Sequence, residues 1–360
     1  MRWLALAIAV VSATAVAGAD SPRTIAGSLQ LDYLAVPSDA HARAIAFDGM
    51  TAEVALRMSV DFTSNASVSV KVCFACHGFE AAAAYVDLRA ADELSVRVGR
   101  LTPEFGGFPQ RGDPSIHRSS DKPLPYDMGR MLHHAAWNEG VLPAPWVDTG
   151  AELLGTRFVD GGRIDYAGYV LSGPKGTAET GDLDFVASRD PGRYYVDNNS
   201  EPVGGLRLAG TLDLDSAGHG VTVGASAMAG HYDPDRRLGF WIAGGDAAVT
   251  LDGVTLRGEY LVRRTEVAGR GNDFTKHGFY AEAELPIGRV DAFARFDGLL
   301  RFGSVPLGSP LSSSARLLRY TGGAAIRLSA NIRLKASVEL YQSDDLGNDV
   351  ALHLGLATPF

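Results

Sequence analysis

The sequence predicts a transmembrane antiparallel β-barrel of about 16 strands, with a range of 14–18. Segments of about ten residues alternate between apolar and polar side chains, which is typical of strands with two different faces. Turn-forming residues separate these segments, and short connections alternate with longer ones. After the N-terminal region, no segment contains the roughly twenty consecutive apolar residues of a membrane-spanning helix. These three observations together indicate a barrel with a lipid-facing exterior and a polar lumen.

The N-terminus has the pattern of a secretory signal peptide. A basic residue precedes the apolar run 3–16, and small residues follow up to Ala19. We expect cleavage after Ala19, with Ala17 as the second option. Residues 1–19 are then the signal peptide, and 20–360 form a single barrel domain. The apolar run is too short to act as a membrane anchor.

Three segments show the strand pattern most clearly, namely 332–340, 52–62 and 254–263. In the first of these, the even-numbered residues are apolar, and the odd-numbered residues are Arg333, Lys335, Ser337 and Glu339. Because successive strand residues point to opposite faces, this pattern places the charges on one face. A soluble β-sandwich is the alternative fold, but it does not need a charged second face on nearly every strand.

The strand pattern and the lengths of the connections together predict which links lie at each end of the barrel. Strands are expected to begin near residues 27, 50, 65, 80, 93, 147, 161, 203, 218, 238, 253, 276, 289, 316, 331 and 348, to within about two strands in the count. Short links occur at 63–65, 90–92, 160–162, 252–253, 286–288 and 330–331. The other links are mostly longer, at 37–49, 102–146, 172–202, 230–237, 266–275 and 303–315. We therefore expect short periplasmic turns, longer external loops and an even number of strands.

The only two cysteines lie in the string CFACH at residues 73–77. This spacing is the attachment motif of a c-type haem, in which Cys73 and Cys76 form thioether bonds and His77 is the proximal iron ligand. We therefore predict one haem c per chain. The strand alternation places Cys73 on the lumen face together with Lys71, at the outer end of its strand. The haem is thus expected inside the barrel, near the outer mouth.

The longest loop, 102–146, is the expected source of a haem pocket. It contains seven prolines and five aromatic residues. Because a solvated loop rarely carries so many, we expect it to fold into the lumen as a constriction and haem pocket. His117 and Met128 are equally favoured as the distal iron ligand. The remaining candidate ligands are Met131, His133 and His134, and the candidate partners of the haem propionates are Arg111, Arg118, Lys122 and Arg130.

Four resemblances support the barrel and the haem. Segment 96–106, VRVGRLTPEFG, resembles the strand-and-loop entry of the phosphate-selective porin group, which implies a porin-like barrel but not a phosphate substrate. The terminal Phe360, in register with apolar residues from Val350 onward, resembles the recognition signal of bacterial outer-membrane proteins. Residues 73–77 resemble c-type cytochromes, and most of the mature chain resembles outer-membrane porins. Porin analogy also implies a homotrimer.

Composition excludes some functions, because a net charge of −9 and a pI near 5.5 argue against a nucleic-acid partner. No nucleophile–base motif, phosphate-binding glycine loop or zinc-protease motif occurs, so no enzyme is predicted. Acidic pairs at Asp182 and Asp184, and at Asp233 and Asp235, are weak candidates for a divalent ion, because they lack a recognised spacing.

Two functions from different classes fit these observations. The first is a haem-bearing porin of the bacterial outer membrane that transfers electrons between periplasmic or extracellular cytochromes and an external acceptor. A partner cytochrome is required, because one haem cannot carry electrons across about 30 Å of hydrocarbon. The second is a plain diffusion porin for small solutes, with Cys73 and Cys76 in a disulfide. Haem-based redox catalysis, such as peroxide reduction, is a third alternative that needs an open sixth iron position.

Overall fold

The computed structural model describes most of the mature chain. The described residues are 23–35, 49–75, 78–127, 140–142, 144, 146–176, 185, 188, 196–215, 218–268, 273–303, 314–344 and 348–360. The signal peptide expected at residues 1–19 lies outside them. Among the described residues, no helix is long and apolar enough to cross a membrane.

The described residues form sixteen strands, as predicted. Their bounds are β1 Arg23–Ala35, β2 Gly49–Thr63, β3 Ala66–Ala75, β4 Gly78–Ala91, β5 Leu94–Leu101, β6 Asp148–Val159, β7 Gly162–Leu171, β8 Val203–Asp213, β9 Gly220–His231, β10 Gly239–Leu251, β11 Val254–Thr265, β12 Phe274–Ile287, β13 Val290–Phe302, β14 Ala315–Arg327, β15 Arg333–Ser343 and β16 Asp349–Pro359. β1 begins four residues before its expected start, at Arg23, and every other strand begins within two residues of its expected start.

The strands close into one antiparallel barrel. Each strand pairs with its neighbours in sequence, and β1 pairs with β16 from Ser28 opposite Pro359 to Ala35 opposite Leu352. Closure leaves no unpaired sheet edge, which is the condition for strands in a membrane. The closed barrel also excludes the β-sandwich alternative.

Short and long connections lie at opposite ends of the barrel, as the sequence predicts. Connections such as 252–253 and 288–289 define what we call the turn end, where Gly253 and Gly288 adopt the positive φ that tight turns require. The long connections define the loop end. Two links at the loop end are short, namely residues 76–77 between β3 and β4 and residues 344–348 between β15 and β16.

The alternation of faces is confirmed by burial. The outward-facing Leu354 and Phe360 are 57% and 60% exposed, whereas the inward-facing Lys335 and Glu339 are 1% and 0% exposed. The terminal aromatic residue therefore belongs to the outward apolar face, where Phe360 also pairs with Gly27 of β1 through two backbone hydrogen bonds.

The described part of the long loop between β5 and β6 folds into the lumen, as predicted. It contains two short 3₁₀ helices, Pro109–Arg111 and Leu124–Tyr126. Its buried apolar residues form one hydrophobic cluster with inward-facing residues of the wall. These wall residues lie mainly in the loop-end halves of their strands and include Leu34, Leu101, Tyr169, Leu171, Val203, Met228, Phe240, Ile242, Leu317 and Tyr341. The lumen face toward the loop end therefore carries apolar residues beside buried charged ones such as Arg263, Lys276 and Arg301, whereas the sequence pattern predicts a polar lumen.

Candidate functional site

Cys73 lies on the lumen face of β3, near the loop end. It is opposite Ala55 of β2 and Glu80 of β4, and it shares its face with Lys71. The register irregularity beside Lys71 affects the pairing with β4, and the pairing with β2 continues unbroken through Cys73. The Cys73 side chain is half-buried. Cys76 and His77 lie outside the described residues.

His117 is buried within the in-folded loop. Its ring centroid is 6.0 Å from that of Phe108, and its Nδ1 has no hydrogen-bond partner. Burial lowers the pKa of His117 well below its usual range, and the positive charges of Lys335 and Lys122 add to this effect. The imidazole is therefore neutral at pH 7, which is the form that binds a metal.

The loop segment that contains His117 contacts the strand that carries Cys73. Asp113 Oδ2 lies 3.8 Å from Lys71 Nζ on β3, and the backbone N–H of His117 donates to the carbonyl of Asp113. Lys71 and Cys73 are about 7 Å apart along the strand. The structure thus brings the loop to the motif-bearing strand. Met128, Met131, His133 and His134 lie outside the described residues.

The candidate propionate partners already have partners in the protein. An Arg111 guanidinium nitrogen donates to the hydroxyl of Tyr280 at 3.3 Å. Arg118 is 3.1 Å from Asp291, and Lys122 donates to the carbonyl of Ala144 at 2.7 Å. These contacts hold the loop in place, and Arg130 lies outside the described residues.

Glu259 of β11 anchors the tip of the loop to the wall. Its carboxylate accepts hydrogen bonds from the backbone N–H groups of Gly107 at 3.0 Å and Phe108 at 3.3 Å, and a short one from the Tyr126 hydroxyl. The N–H of Gly106 donates to Ser226 of β9 at 2.9 Å. Burial raises the pKa of Tyr126, and the Glu259 carboxylate raises it further, so Tyr126 remains a donor.

Gly106 gives a direct test of this anchor. It adopts φ +68°, and a Cβ atom there would lie 1.9 Å from the Tyr126 hydroxyl and 2.2 Å from Glu259 Oε1. We expect Gly106→Ala to displace the loop tip and to accelerate cleavage within 102–146 in limited proteolysis. Gly288→Ala is the matched control, because Gly288 has φ +62° but nothing within 4 Å of its Cβ position. If both variants were cleaved within 102–146 at the same rate, the contacts of Gly106 with Tyr126 and Glu259 would not be what holds the loop tip in place.

Asp297 of β13 anchors a second part of the loop. One carboxylate oxygen accepts the backbone N–H of Leu124 at 3.1 Å, and both oxygens accept hydrogen bonds from buried guanidinium groups. Arg319 Nε and Arg295 Nε are each 2.9 Å from Asp297. Arg319 also contacts the carboxylate of Asp127 at 3.2 Å. The buried charges of β13 and β14 therefore bind the loop as well as one another.

A charged cavity of about 670 Å³ lies between the loop and the turn end. Its lining includes six arginines and five acidic residues. Arg207 and Asp246 form a bidentate pair at 2.6 and 3.0 Å, and Arg97 lies 3.0 Å from Asp87. Neither Cys73 nor His117 lines this cavity. The arginines are Arg89, Arg97, Arg111, Arg163, Arg207 and Arg257, and the acids are Asp92, Glu93, Glu104, Asp165 and Asp246.

The acidic pair Asp233 and Asp235 has a local structural role. Asp233 Oδ1 accepts the backbone N–H groups of Arg237 at 2.9 Å and Leu238 at 2.8 Å. Asp235 forms an ion pair with the Arg237 side chain. These contacts close the connection between β9 and β10. Asp182 and Asp184 lie outside the described residues.

No protein-family model and no curated protein matches the chain. Solved porins do match its fold. The anion-selective porin from Comamonas acidovorans aligns with a TM-score of 0.62 at 13% identity, over 95% of this chain and 100% of that one. OmpF of Salmonella typhi in complex with daunomycin aligns with a TM-score of 0.58 at 11% identity, over 94% and 98%. The trimer form of OmpT, an outer-membrane protein of Vibrio cholerae, aligns with a TM-score of 0.56 at 7% identity, over 94% and 99%.

The fold of this chain is therefore that of a porin-like outer-membrane β-barrel. The matches cover nearly the whole chain and nearly the whole of each solved barrel. Because the identities are so low, they show the fold alone, and function rests on the residues of this chain.

Proposed function

We propose that this chain is a bacterial outer-membrane barrel that carries one covalently bound haem c and transfers electrons at the outer membrane. Cys73 and Cys76 would hold the haem, and His77 would bind its iron as the proximal ligand. Bound in this way, the iron would accept and release one electron. The signal peptide at 1–19 would direct the chain to export, and porin analogy suggests a homotrimer.

The observation that carries this proposal is the position of Cys73 on the lumen face of the strand that the in-folded loop contacts. Cys73 faces the lumen near the loop end of β3, and Asp113 of the loop lies 3.8 Å from Lys71 on the same face of that strand. A haem inside a barrel needs apolar cover, whereas a plain diffusion channel is lined by polar residues. The buried aromatic side chains of the in-folded loop are the source from which such cover would come.

His117 is the distal ligand that we propose. Its imidazole is neutral and buried, and its Nδ1 lacks a hydrogen-bond partner. Its loop segment contacts β3 through Asp113 and Lys71. Met128 is the alternative ligand, and it would raise the reduction potential relative to a histidine. A periplasmic or extracellular cytochrome would complete the electron path, because one haem cannot carry an electron across the hydrocarbon thickness of about 30 Å.

Haem staining of the denatured protein tests the proposal. After expression with a c-type maturation system, we expect stainable haem and a pyridine haemochrome spectrum that indicates one haem per chain. Cys73→Ala combined with Cys76→Ala should abolish both signals. Ser69→Ala, on the same lumen face of β3, is the matched control and should keep the haem. Absence of covalent haem in the wild-type protein would reject the proposal.

The distal ligand is tested by spectra of single variants. We expect His117→Ala to change the ferric spectrum and to shift the reduction potential, and Met128→Ala to leave both unchanged. The reverse result would assign Met128. Unchanged spectra in both variants would exclude both residues as distal ligands and leave Met131, His133 and His134 as the candidates.

A diffusion porin is the second candidate, and the charged cavity favours it. The cavity of about 670 Å³ is large enough for a small solute and is lined by residues of both charge signs. In this alternative Cys73 and Cys76 form a disulfide. Solute flux through reconstituted protein without haem, together with a mass that indicates the disulfide, would support it.

A further inference from the structure

Three buried side chains converge where the in-folded loop meets β15 and β16. They are Asp121 of the loop, Glu339 of β15 and His353 of β16. One ligand atom from each lies within 4.8 Å of the other two, and all three residues are buried. Neither the haem proposal nor the anchors at Glu259 and Asp297 uses this cluster as a site.

The histidine is aimed into the cluster without a hydrogen bond. His353 Nε2 lies 3.5 Å from Asp121 Oδ2 and 3.5 Å from Glu339 Oε2, and it has no hydrogen-bond partner. A charge-assisted hydrogen bond would be about 2.7–2.9 Å long. Two ligands of a tetrahedral Zn²⁺ ion, each about 2.0–2.1 Å from the metal, are about 3.4 Å apart. The two distances from His353 Nε2 therefore fit ligands of a shared metal ion, and in its absence they are ion-pair distances of a protonated imidazole.

The other ring nitrogen of His353 has the partner that metal-bound histidines usually have. Nδ1 lies 3.1 Å from Asp32 Oδ2 of β1, and both side chains are buried. A carboxylate in this position fixes the tautomer and directs Nε2 toward the metal. Glu339 Oε1 is buried without a hydrogen-bond partner, so the Glu339 carboxylate has a second oxygen to offer.

The charges around the cluster favour a divalent cation. Asp32, Asp121 and Glu339 bring three carboxylates to one buried imidazole. Arg319 is nearby, at 3.5 Å from Asp121 and 3.7 Å from Glu339. It lies closer to Asp297 and Asp127, at 2.9 and 3.2 Å, and Asp297 also pairs with Arg295, so these two carboxylates face two guanidinium groups. A histidine that binds a metal is neutral, so the three carboxylates then need further positive charge.

Lys335 supplies part of that charge. Its ammonium group is buried, and it donates to Gln30 and to the carbonyls of Pro114 and Ser119 rather than to a carboxylate. One divalent ion together with this ammonium balances the three carboxylates.

We propose that Asp121, Glu339 and His353 bind a divalent transition-metal ion of the Zn²⁺ class, with Asp32 as the residue that positions His353. An imidazole among the ligands favours such metals over Mg²⁺ or Ca²⁺. Because Asp121 belongs to the loop and the other two ligands to the wall, the ion fastens the in-folded loop to β15 and β16.

Zinc binding by tag-free, chelator-treated protein tests this proposal. We expect equilibrium dialysis and elemental analysis to give one zinc ion per folded chain, with His353→Gln and Glu339→Gln losing it. Asp32→Asn should weaken binding by about 10–100-fold, as expected for the partner of a metal-bound histidine. His231→Gln is the matched control, because His231 pairs with Glu201 on the exposed surface, and it should bind as the wild type does.

X-ray absorption at the zinc edge tests the proposal on the wild-type protein, so its outcome does not depend on whether the variants fold. We expect an imidazole nitrogen and carboxylate oxygens at about 2.0–2.2 Å from zinc in the wild-type protein. A wild-type protein that retains no zinc, or zinc without an imidazole ligand, would overturn the proposal. So would folded His353→Gln with unchanged zinc content. The Cys73→Ala, Cys76→Ala protein should still bind zinc, so this test is independent of the haem.

Discussion

Replacing Asp297 by Asn is expected to lower the free energy of unfolding by about 3–5 kcal/mol, because it removes one partner of buried ion pairs. The carboxylate accepts from Arg295 and Arg319 at 2.9 Å each, and all three side chains are almost completely buried. An amide would turn an NH₂ group toward a guanidinium donor or toward the N–H of Leu124. The urea midpoint of the refolded barrel, followed by heat-dependent migration on a gel, measures the loss.

Asp344→Asn is the matched control for this experiment. Asp344 also pairs with an arginine of β14, namely Arg316 at 3.2 Å, but both side chains are about half exposed. Exposed pairs contribute about 0–1 kcal/mol. We therefore expect a small change in the midpoint. Equal changes for Asp297→Asn and Asp344→Asn would mean that burial of the network around Asp297 does not contribute to stability.

The fold is predictable from the sequence because its signal is local and repeated. Each strand carries its own alternation, and each tight turn carries its own turn residues. Fifteen of the sixteen strands begin within two residues of their expected positions. β1 begins earlier, at Arg23, because its first residues pair with the end of β2, where Arg23 lies opposite Val60. Such pairing extends a strand beyond the segment that its own pattern marks.

The partners of the in-folded loop are not predictable in this way. Alternation shows that Glu259 and Asp297 face the lumen, but not what they meet there. Their contacts with Gly107 and Leu124 join residues more than 150 positions apart. Phe185 is a further case, since it lies in a long connection and is nevertheless buried against Tyr232 and Phe240. A single sequence contains no local signal for such pairs.

The candidate haem site also combines features that the sequence predicts with features that it does not predict. The motif and the strand parity of Cys73 are local, and the structure places Cys73 on the expected face. The apolar wall residues toward the loop end, such as Leu171 and Phe240, depart from the polar lumen that strand alternation predicts. These residues are apolar because they pack against the in-folded loop. The loop therefore determines the polarity of the lumen as well as its width.

Replacing Glu259 by Ala is expected to release the tip of the loop and to raise the single-channel conductance of the reconstituted protein. The change leaves the N–H groups of Gly107 and Phe108 and the Tyr126 hydroxyl without their acceptor. Each buried unsatisfied donor costs about 1–3 kcal/mol. Since about 1.4 kcal/mol corresponds to a tenfold change in population, the displaced loop should become at least tenfold more populated.

Glu266→Ala is the control for charge alone. Glu266 follows β11 directly and is exposed, and its carboxylate accepts the N–H of Gly239 rather than a group of the in-folded loop. Planar-bilayer recordings should show larger and more frequently fluctuating currents for Glu259→Ala only, because only that carboxylate holds the loop across the lumen. If both variants conduct as the wild type does, the loop tip does not limit passage. Any channel would then have to run past another part of the loop, and the charged cavity beneath Gly107 would not lie on its path.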